Sequence, residues 1–263
     1  MGPAYFVITD ESAEAGRYAA QHATVGPWSP ELQHGGPPNA LLVDAAERLV
    51  AATTGRAELT AARLAAEFVG PVPVGEVATT ARIVREARSG VLVEATLSAA
   101  DRECLRARIW LVASADTAAV AAPIDALTVP DGPAGLDASF PYGDSIDWRP
   151  IAGGLTVPGP GAAWARPRLA VVAGRAPSGL QRAALVGDCA SGISSALDWD
   201  AWSFVNVDLD VHLARPVHGD WLRMDAETQL GTHGFALARA TLFDEHGAVG
   251  ATAQTLVIAP RRA

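Results

Sequence analysis

What most constrains this chain is that its C-terminal part repeats an earlier stretch. Gly75 and Gly219 lie 144 residues apart, and so do Gly90 and Gly234. At that spacing Pro73-Val-Gly-Glu-Val-Ala-Thr-Thr-Ala-Arg-Ile-Val lies against Val217-His-Gly-Asp-Trp-Leu-Arg-Met-Asp-Ala-Glu-Thr. With the spacing longer by one, Glu94-Ala-Thr-Leu97 meets Arg239-Ala-Thr-Leu242. A repeat of this period means two similar supersecondary units, fused in tandem or packed as a pseudo-dimer. A functional site is expected where matching strands differ in polar residues. Gln254 falls opposite Ile109, within an otherwise apolar strand.

A chain of 263 residues holds one large domain or two of ordinary size, and the repeat favours two. With 49% hydrophobic and 19% charged residues it can bury a full core. A net charge of −9 argues against nucleic acid, which needs a basic surface. The only cysteines, Cys104 and Cys189, can form neither a disulfide framework nor a zinc cage, which points to a reducing interior. The N-terminus has no basic region and meets acids by Asp10 and Glu11, unlike a signal peptide. No apolar run reaches the roughly 18 residues of a membrane span. The expectation is a soluble cytoplasmic protein.

Along the chain, His34-Gly-Gly-Pro-Pro38 forms a turn that leads into a helix near Asn39. Its apolar face is Leu41, Leu42, Ala45, Leu49 and Ala52, at helical spacing. Strands are predicted over residues 78–85, 90–99 and 104–113, with turns at Ser89-Gly90 and Asp101-Arg-Glu103. Residues 114–160 have linker composition, with a strand near 145–151. Residues 164–172 read as a strand, and Ser178 or Gly179 starts a second helix running from Leu180 to about Leu197. Residues 205–213 alternate, with Val205, Val207, Leu209, Val211 and Leu213 on one face and Asn206, Asp208, Asp210 and His212 on the other. A last meander covers 221–230, 235–244 and 248–258. Each half is thus a helix followed by an antiparallel sheet, an α+β arrangement in which the sheet wraps the helix.

Five segments together carry a resemblance: Gln33-His-Gly-Gly-Pro-Pro-Asn-Ala-Leu-Leu42, Glu67-Phe-Val-Gly-Pro-Val-Pro-Val-Gly-Glu76, Asp188-Cys-Ala-Ser-Gly-Ile-Ser-Ser195, Asn206-Val-Asp-Leu-Asp-Val-His-Leu-Ala-Arg-Pro216 and Gly250-Ala-Thr-Ala-Gln254. In order and spacing the chain resembles the double-hotdog acyl-CoA thioesterases of the thioesterase II type. The resemblance implies a double hotdog: an N-terminal hotdog over 1–115, a linker over 116–144 and a C-terminal hotdog over 145–263 that carries the catalytic residues. It implies hydrolysis of acyl-CoA to free acid and coenzyme A, with no cofactor and no metal. In that family an Asp, a hydroxyl residue and a Gln hold the attacking water. Asp188 and Gln254 match the Asp and Gln, whereas Asn206 stands where the best-known members carry Thr. Hotdog sheets expose edges, so a homo-oligomer is expected.

The chemistry is consistent with that assignment. Hydrolysis needs an acceptor for the proton of water, a role open to Asp188, with Asn206 and Gln254 orienting the water. The developing oxyanion needs fixed donors, and the backbone N–H groups of Gly35 and Gly36 at a helix start are candidates. His34, Arg166, Arg168 and Arg215 are candidate substrate contacts, the arginines toward the coenzyme A phosphates. Taken singly, each residue has a plainer role. Gln254 could pair with backbone, Asp188 could be a helix-terminal acid, Asn206 could lie on an exposed sheet face, His34 could cap a loop and the arginines could form salt bridges. Trp28, Trp110, Trp164 and Trp221 read as packing anchors. Cys189 has no general-base histidine placed near it by any motif. Two rivals stay open: a non-catalytic hotdog that binds acyl thioesters or polyketides, and a hotdog enoyl-CoA hydratase. The hydratase would need a histidine close after the aspartate, and none occurs in the twenty residues after Asp188.

Overall fold

The computed structural model describes residues 2–56, 58–121, 125–132 and 135–261. The N-terminal half contains β1 (Ala4–Glu11), β2 (Ala15–Ala20), α1 (Gly36–Thr54), β3 (Thr60–Phe68), β4 (Glu76–Ala87), β5 (Gly90–Ala99) and β6 (Arg102–Val112). The remainder contains α2 (Pro141–Asp144), β7 (Ile146–Ala152), β8 (Gly161–Pro167), β9 (Ala170–Val172), α3 (Gly179–Gly187), α4 (Ala190–Ile193), β10 (Trp202–Asn206), β11 (Asp208–Leu213), β12 (Leu222–Leu230), β13 (Phe235–Asp244) and β14 (Gly247–Pro260).

The strands form one sheet in the order β7-β8-β12-β13-β14-β11-β3-β6-β5-β4-β2-β1-β9, with β10 added to β14. The order reads alike from both ends: β12-β13-β14-β11 mirrors β4-β5-β6-β3, and β7-β8 mirrors β2-β1 in reverse. The two sets meet where β3 pairs antiparallel with β11, Leu64 opposite Val211, so each half covers an edge of the other. The sheet wraps two helices, α1 and α3, which pack on each other. This is the expected α+β double hotdog. From Gly36 to Ala46, α1 is buried on every side, because it is enclosed by sheet on one flank and by α3 on the other. Ala52, assigned to its apolar face, is exposed where the helix runs out of the sheet.

Three strands escape the hydrophobic pattern. In β1 only Ala4, Tyr5 and Phe6 are buried, and β2 buries Gly16 and Tyr18 alone. Four of the nine residues of β3 are alanine, two on either side of the Arg63-Leu64 pair, with little intrinsic strand preference. The predicted strand over 164–172 is two: β8 pairs with β12, whereas β9 crosses to lie parallel to β1.

Two further departures shape the site. The predicted helix from Leu180 to Leu197 begins as expected, with the Ser178 side chain accepting from the Gln181 amide, but α3 ends at Gly187. At Cys189 the ladder tightens, its N–H donating to Val186 O at 3.0 Å, and the short α4 follows. The strand over 205–213 is interrupted at Val207. Asn206 pairs with Leu256 and Asp210 with Ala253, so four steps on one strand match three on β14. A one-residue bulge of this kind flips the faces. Phe204 therefore points inward before it, and Leu209 and Val211 after it, while Val205 and Val207 are exposed. Asn206 consequently leaves the face of Asp208, Asp210 and His212 and turns inward.

Candidate active site

The site is built where three chain ends converge: the end of α3, the bulge between β10 and β11, and the loop that starts α1. Asp188 is the C-cap of α3, and its side chain is only 2% exposed. A helix end leaves carbonyl groups without partners. Gln254, inward on β14 and itself buried, meets that need, its Nε2 donating to the Asp188 backbone oxygen at 3.2 Å. The same amide reaches Asp188 Oδ1 at 3.1 Å. Asn206 Nδ2 donates to Oδ1 as well, at 2.9 Å, and to Asp208 O at 3.2 Å. The bulge at Val207 makes the Asn206 contact possible.

The second carboxylate oxygen belongs to the other half of the molecule. His34 Nδ1 lies 2.9 Å from Asp188 Oδ2. The Gly36 amide also approaches Nδ1, at 3.2 Å, but a protonated ring nitrogen has no lone pair to offer it. The shorter, charge-assisted contact to the carboxylate keeps the proton on Nδ1. Tyr142 stacks on the imidazole at 4.2 Å between centroids, and Phe140 lies alongside it. Tyr142 is fixed in turn by donating its hydroxyl to Leu185 O at 2.7 Å.

The two glycines are spatial necessities. A Cβ on Gly35 would stand 2.8 Å from Asp188 Oδ2 and 2.6 Å from Phe68 Cζ, and one on Gly36 would stand 2.6 Å from the Tyr142 hydroxyl. Pro37 and Pro38 follow in the first turn of α1, where missing N–H groups cost nothing but also donate nothing. The donors left at this helix start are therefore few. Gly35 lines the adjoining cavity and Gly36 does not.

That cavity, about 340 Å³, is walled by both halves. His34, Gly35, Asp188 and Asn206 form its polar corner, and Trp28, Phe68, Phe140, Trp148, Trp199 and Phe204 dominate the rest. Trp28, read from the sequence as a packing anchor, is a wall of this cavity, stacked on Trp199 at 4.9 Å with Phe204 edge-on at 5.0 Å. The sequence offered no spacing that tied Trp199 and Phe204 to Trp28, or His34 to Asp188; the fold alone joins them. Cys189 also reaches the cavity, but burial and the Asp188 charge push its thiol well above the usual range, which disfavours a thiolate nucleophile.

The three arginines are placed elsewhere. Arg166 donates twice to Asp147 and lies over the Trp221 ring at 4.8 Å. Arg168 bonds to Asp144 O and approaches Asp147. Arg215 grips buried Asp244 with two bonds of 2.6 and 2.7 Å, and with two backbone amides it holds that carboxyl below the usual range. None of the three lines the cavity. On the outer face of the sheet, Asp210 pairs with Arg63 and Asp208 accepts from the Thr255 amide.

Comparison with known proteins places this arrangement. The acyl-CoA thioesterase N-terminal domain matches residues 24–112, and the acyl-CoA thioesterase C-terminal domain matches residues 106–258. No curated protein matches the chain significantly. Among solved structures, the tesB protein of Mycobacterium avium subsp. paratuberculosis is 19% identical over 96% of both chains, with a TM-score of 0.70. The acyl-CoA thioesterase II TesB2 of Mycobacterium marinum is 15% identical over 97% of this chain and 96% of its own, with a TM-score of 0.71. A protein of unknown function with a hot dog fold from Alicyclobacillus acidocaldarius is 14% identical over 97% and 96%, with a TM-score of 0.72. At these identities the structures establish the shared fold.

Proposed function

Since this chain belongs to the acyl-CoA thioesterase family, we propose that it hydrolyses an acyl-CoA to the free acid and coenzyme A, with water as the attacking group. The observation that carries this reading is the Asp188 carboxyl group at the corner of an apolar cavity, anchored by Asn206, Gln254 and His34 with no arginine paired to it among the described residues. A carboxyl group held by hydrogen bonds and not tied to an arginine can offset the proton that water releases as it attacks. The acyl group occupies the aromatic cavity. The carbonyl oxygen, negative in the transition state, is received by the Gly35 N–H at the start of α1. We further propose the division into 1–115, 116–144 and 145–263, and a homo-oligomeric assembly. No helix among the described residues is long and apolar enough to cross a membrane.

Thiol release from a panel of acyl-CoAs, from acetyl to palmitoyl with an aryl-CoA included, tests the proposal on wild type and Asp188→Asn. Turnover on some members, falling about 10²- to 10⁴-fold in the variant, is the expected result. Silence across the panel, with acyl-CoA still bound in calorimetry, would move the protein to the non-catalytic binding role. The Asp188–His34 contact gives the hydratase reading something the order of residues does not. An enoyl-CoA in the same panel separates the two, since hydration consumes the double bond without releasing thiol.

A further inference from the structure

We infer that His34 is a catalytic residue: its Nε2 takes the proton from the attacking water, and Asp188 orients the ring and stabilises it once charged. The inference rests on the thioester-hydrolase reading above. Its ground is the crowding of the carboxylate. Asp188 Oδ1 already accepts from both Asn206 and Gln254. Oδ2 accepts from His34 and lies so near Gly35 that a Cβ there would stand 2.8 Å away. The aspartate side chain is 2% exposed, against 13% for His34. A base must reach the water it deprotonates. Both residues line the cavity, but the His34 side chain is the more open of the two and has a second ring nitrogen not engaged by the carboxylate. Its Nδ1 is committed to Asp188. Its Nε2 has no hydrogen-bond partner among the described residues and is not fully buried, and the residue borders the cavity.

The neighbours of the ring suit the role. The titratable groups packed around it and its carboxylate are Tyr142, stacked on one face, and Cys189, next to Asp188. Burial is the largest cause pushing both well above their ordinary ranges, and the Asp188 charge adds to it. Both stay neutral and neither competes as a base. Stacking on Tyr142, with Phe140 nearly parallel at 6.3 Å, holds the ring plane, and the Nδ1–Asp188 contact sets the direction in which Nε2 faces.

The steps balance as follows. Water oxygen bonds to the thioester carbonyl carbon while one of its protons passes to His34 Nε2, giving an imidazolium beside the Asp188 carboxylate. The tetrahedral oxyanion reforms the carbonyl, the C–S bond breaks, and the departing thiolate takes the proton back from Nε2. The products are the acid, which then ionises to solvent, and the coenzyme A thiol; the residues end as they began.

The decisive variant is His34→Asn. Its Nδ2–H replaces Nδ1–H and still holds Asp188, but no atom replaces Nε2. With the acyl-CoA the wild type turns over best, kcat is expected to fall about 100-fold or more while KM changes little. Retention of kcat within threefold would overturn the inference and make Asp188 the direct base. Should His34→Asn fail to fold by circular dichroism, His34→Ala with added imidazole serves instead. Rescue that rises with the unprotonated fraction of imidazole is expected, and a folded variant that stays active without it would equally overturn the role. A wild type silent on every thioester would instead bring down the hydrolase reading itself, a distinct result visible before any variant is made.

Discussion

The molecule contains two buried aspartates at matching places, and they are held by different partners. Asp44 precedes Asp188 by 144 residues, the spacing of the repeated glycines, and sits in α1, the counterpart of α3. Both halves even share the bulge. In β3 a register shift between Ala61 and Arg63 leaves Ala61 opposite Leu111, as Asn206 lies opposite Leu256. Yet the positions that supply amides to Asp188 are apolar in the first half: Ala61 answers to Asn206, and buried Ile109 answers to Gln254. Each aspartate draws one more partner from the loop before the opposite helix. Asp188 receives His34, and Asp44 receives Arg175, whose guanidinium lies 2.7 Å away and also pairs with Glu11. Burial still pushes the Asp44 carboxyl up despite the arginine, whereas the carboxylates around Arg175 reinforce its charge. Arg175 ties the Asp44 carboxyl across the two halves, whereas Asp188 is held by Asn206, Gln254 and His34 without an arginine, the difference on which the proposed function turns.

That contrast breaks if the two aspartates respond alike. Asp188→Asn is expected to cost the 10²- to 10⁴-fold in kcat given above with little change in melting temperature. Asp44→Asn should leave kcat within a few-fold and lower stability by about 2 kcal/mol, through a guanidinium left without one of its partners. Steady-state kinetics and chemical denaturation on both variants decide it. An equal loss of activity would mean that the site extends along α1 as far as Asp44.

Next in size is an exchange between the counterpart strand positions. Ile109→Gln places an amide in an apolar core with nothing prepared to receive it, and should destabilise by about 2–3 kcal/mol without affecting turnover. Gln254→Leu does the reverse. It strips the Asp188 carbonyl and Oδ1 of a shared donor, and is expected to lower kcat about tenfold to a hundredfold and stability by about 1–2 kcal/mol. A Gln254→Leu protein with full activity would show that Asn206 and His34 suffice to hold the carboxylate. Asn206→Thr, the residue of the best-known relatives of this family, should cost less, up to about tenfold in kcat, because a hydroxyl can still donate to Oδ1 but from a shorter reach.

How far the sequence disclosed these differences depended on whether a contact was local. The meanders around β5–β6 and β12–β14 were readable because alternation and turn residues act within a few positions. Ser178 announced α3 for the same reason. β3 was not readable, since four of the nine residues in Thr60–Phe68 are alanine and it is made a strand by β6 and β11 on either side. Gln254 stands out as a polar residue in an apolar strand, whereas Asp188 has no such local mark and is picked out by the family resemblance. Asn206 was found, but its face was misjudged, because a bulge leaves the alternation of residues 205–213 unbroken in sequence while reversing it in space. The pairing of His34 with Asp188 had no local signal, for it depends on the pseudo-two-fold that brings the start of α1 to the end of α3.

A third carboxylate on the same helix contact sharpens the point most gently. Glu47, one turn beyond Asp44, faces α3 and accepts from Gln181 Nε2 at 2.6 Å. It has neither an arginine nor three donors, and burial pushes its carboxyl up to about 7. The native state therefore binds a proton more tightly at Glu47 than the unfolded chain does. Stability from this group is complete below the unfolded carboxyl range near 4.5 and is lost as pH rises through about 7. The loss is about 1–2 kcal/mol, less than the shift alone implies because the side chain is partly open to solvent. Melting temperatures between pH 4.5 and 7.5 should fall more steeply for wild type than for Glu47→Gln, which keeps the shape and loses the titration. Parallel curves would mean that Gln181 and the adjacent Ser178 already stabilise the anion as fully as water does. One or two neutral donors would then be enough to keep a buried carboxylate charged in this fold, and the three around Asp188 would be there for position rather than for charge.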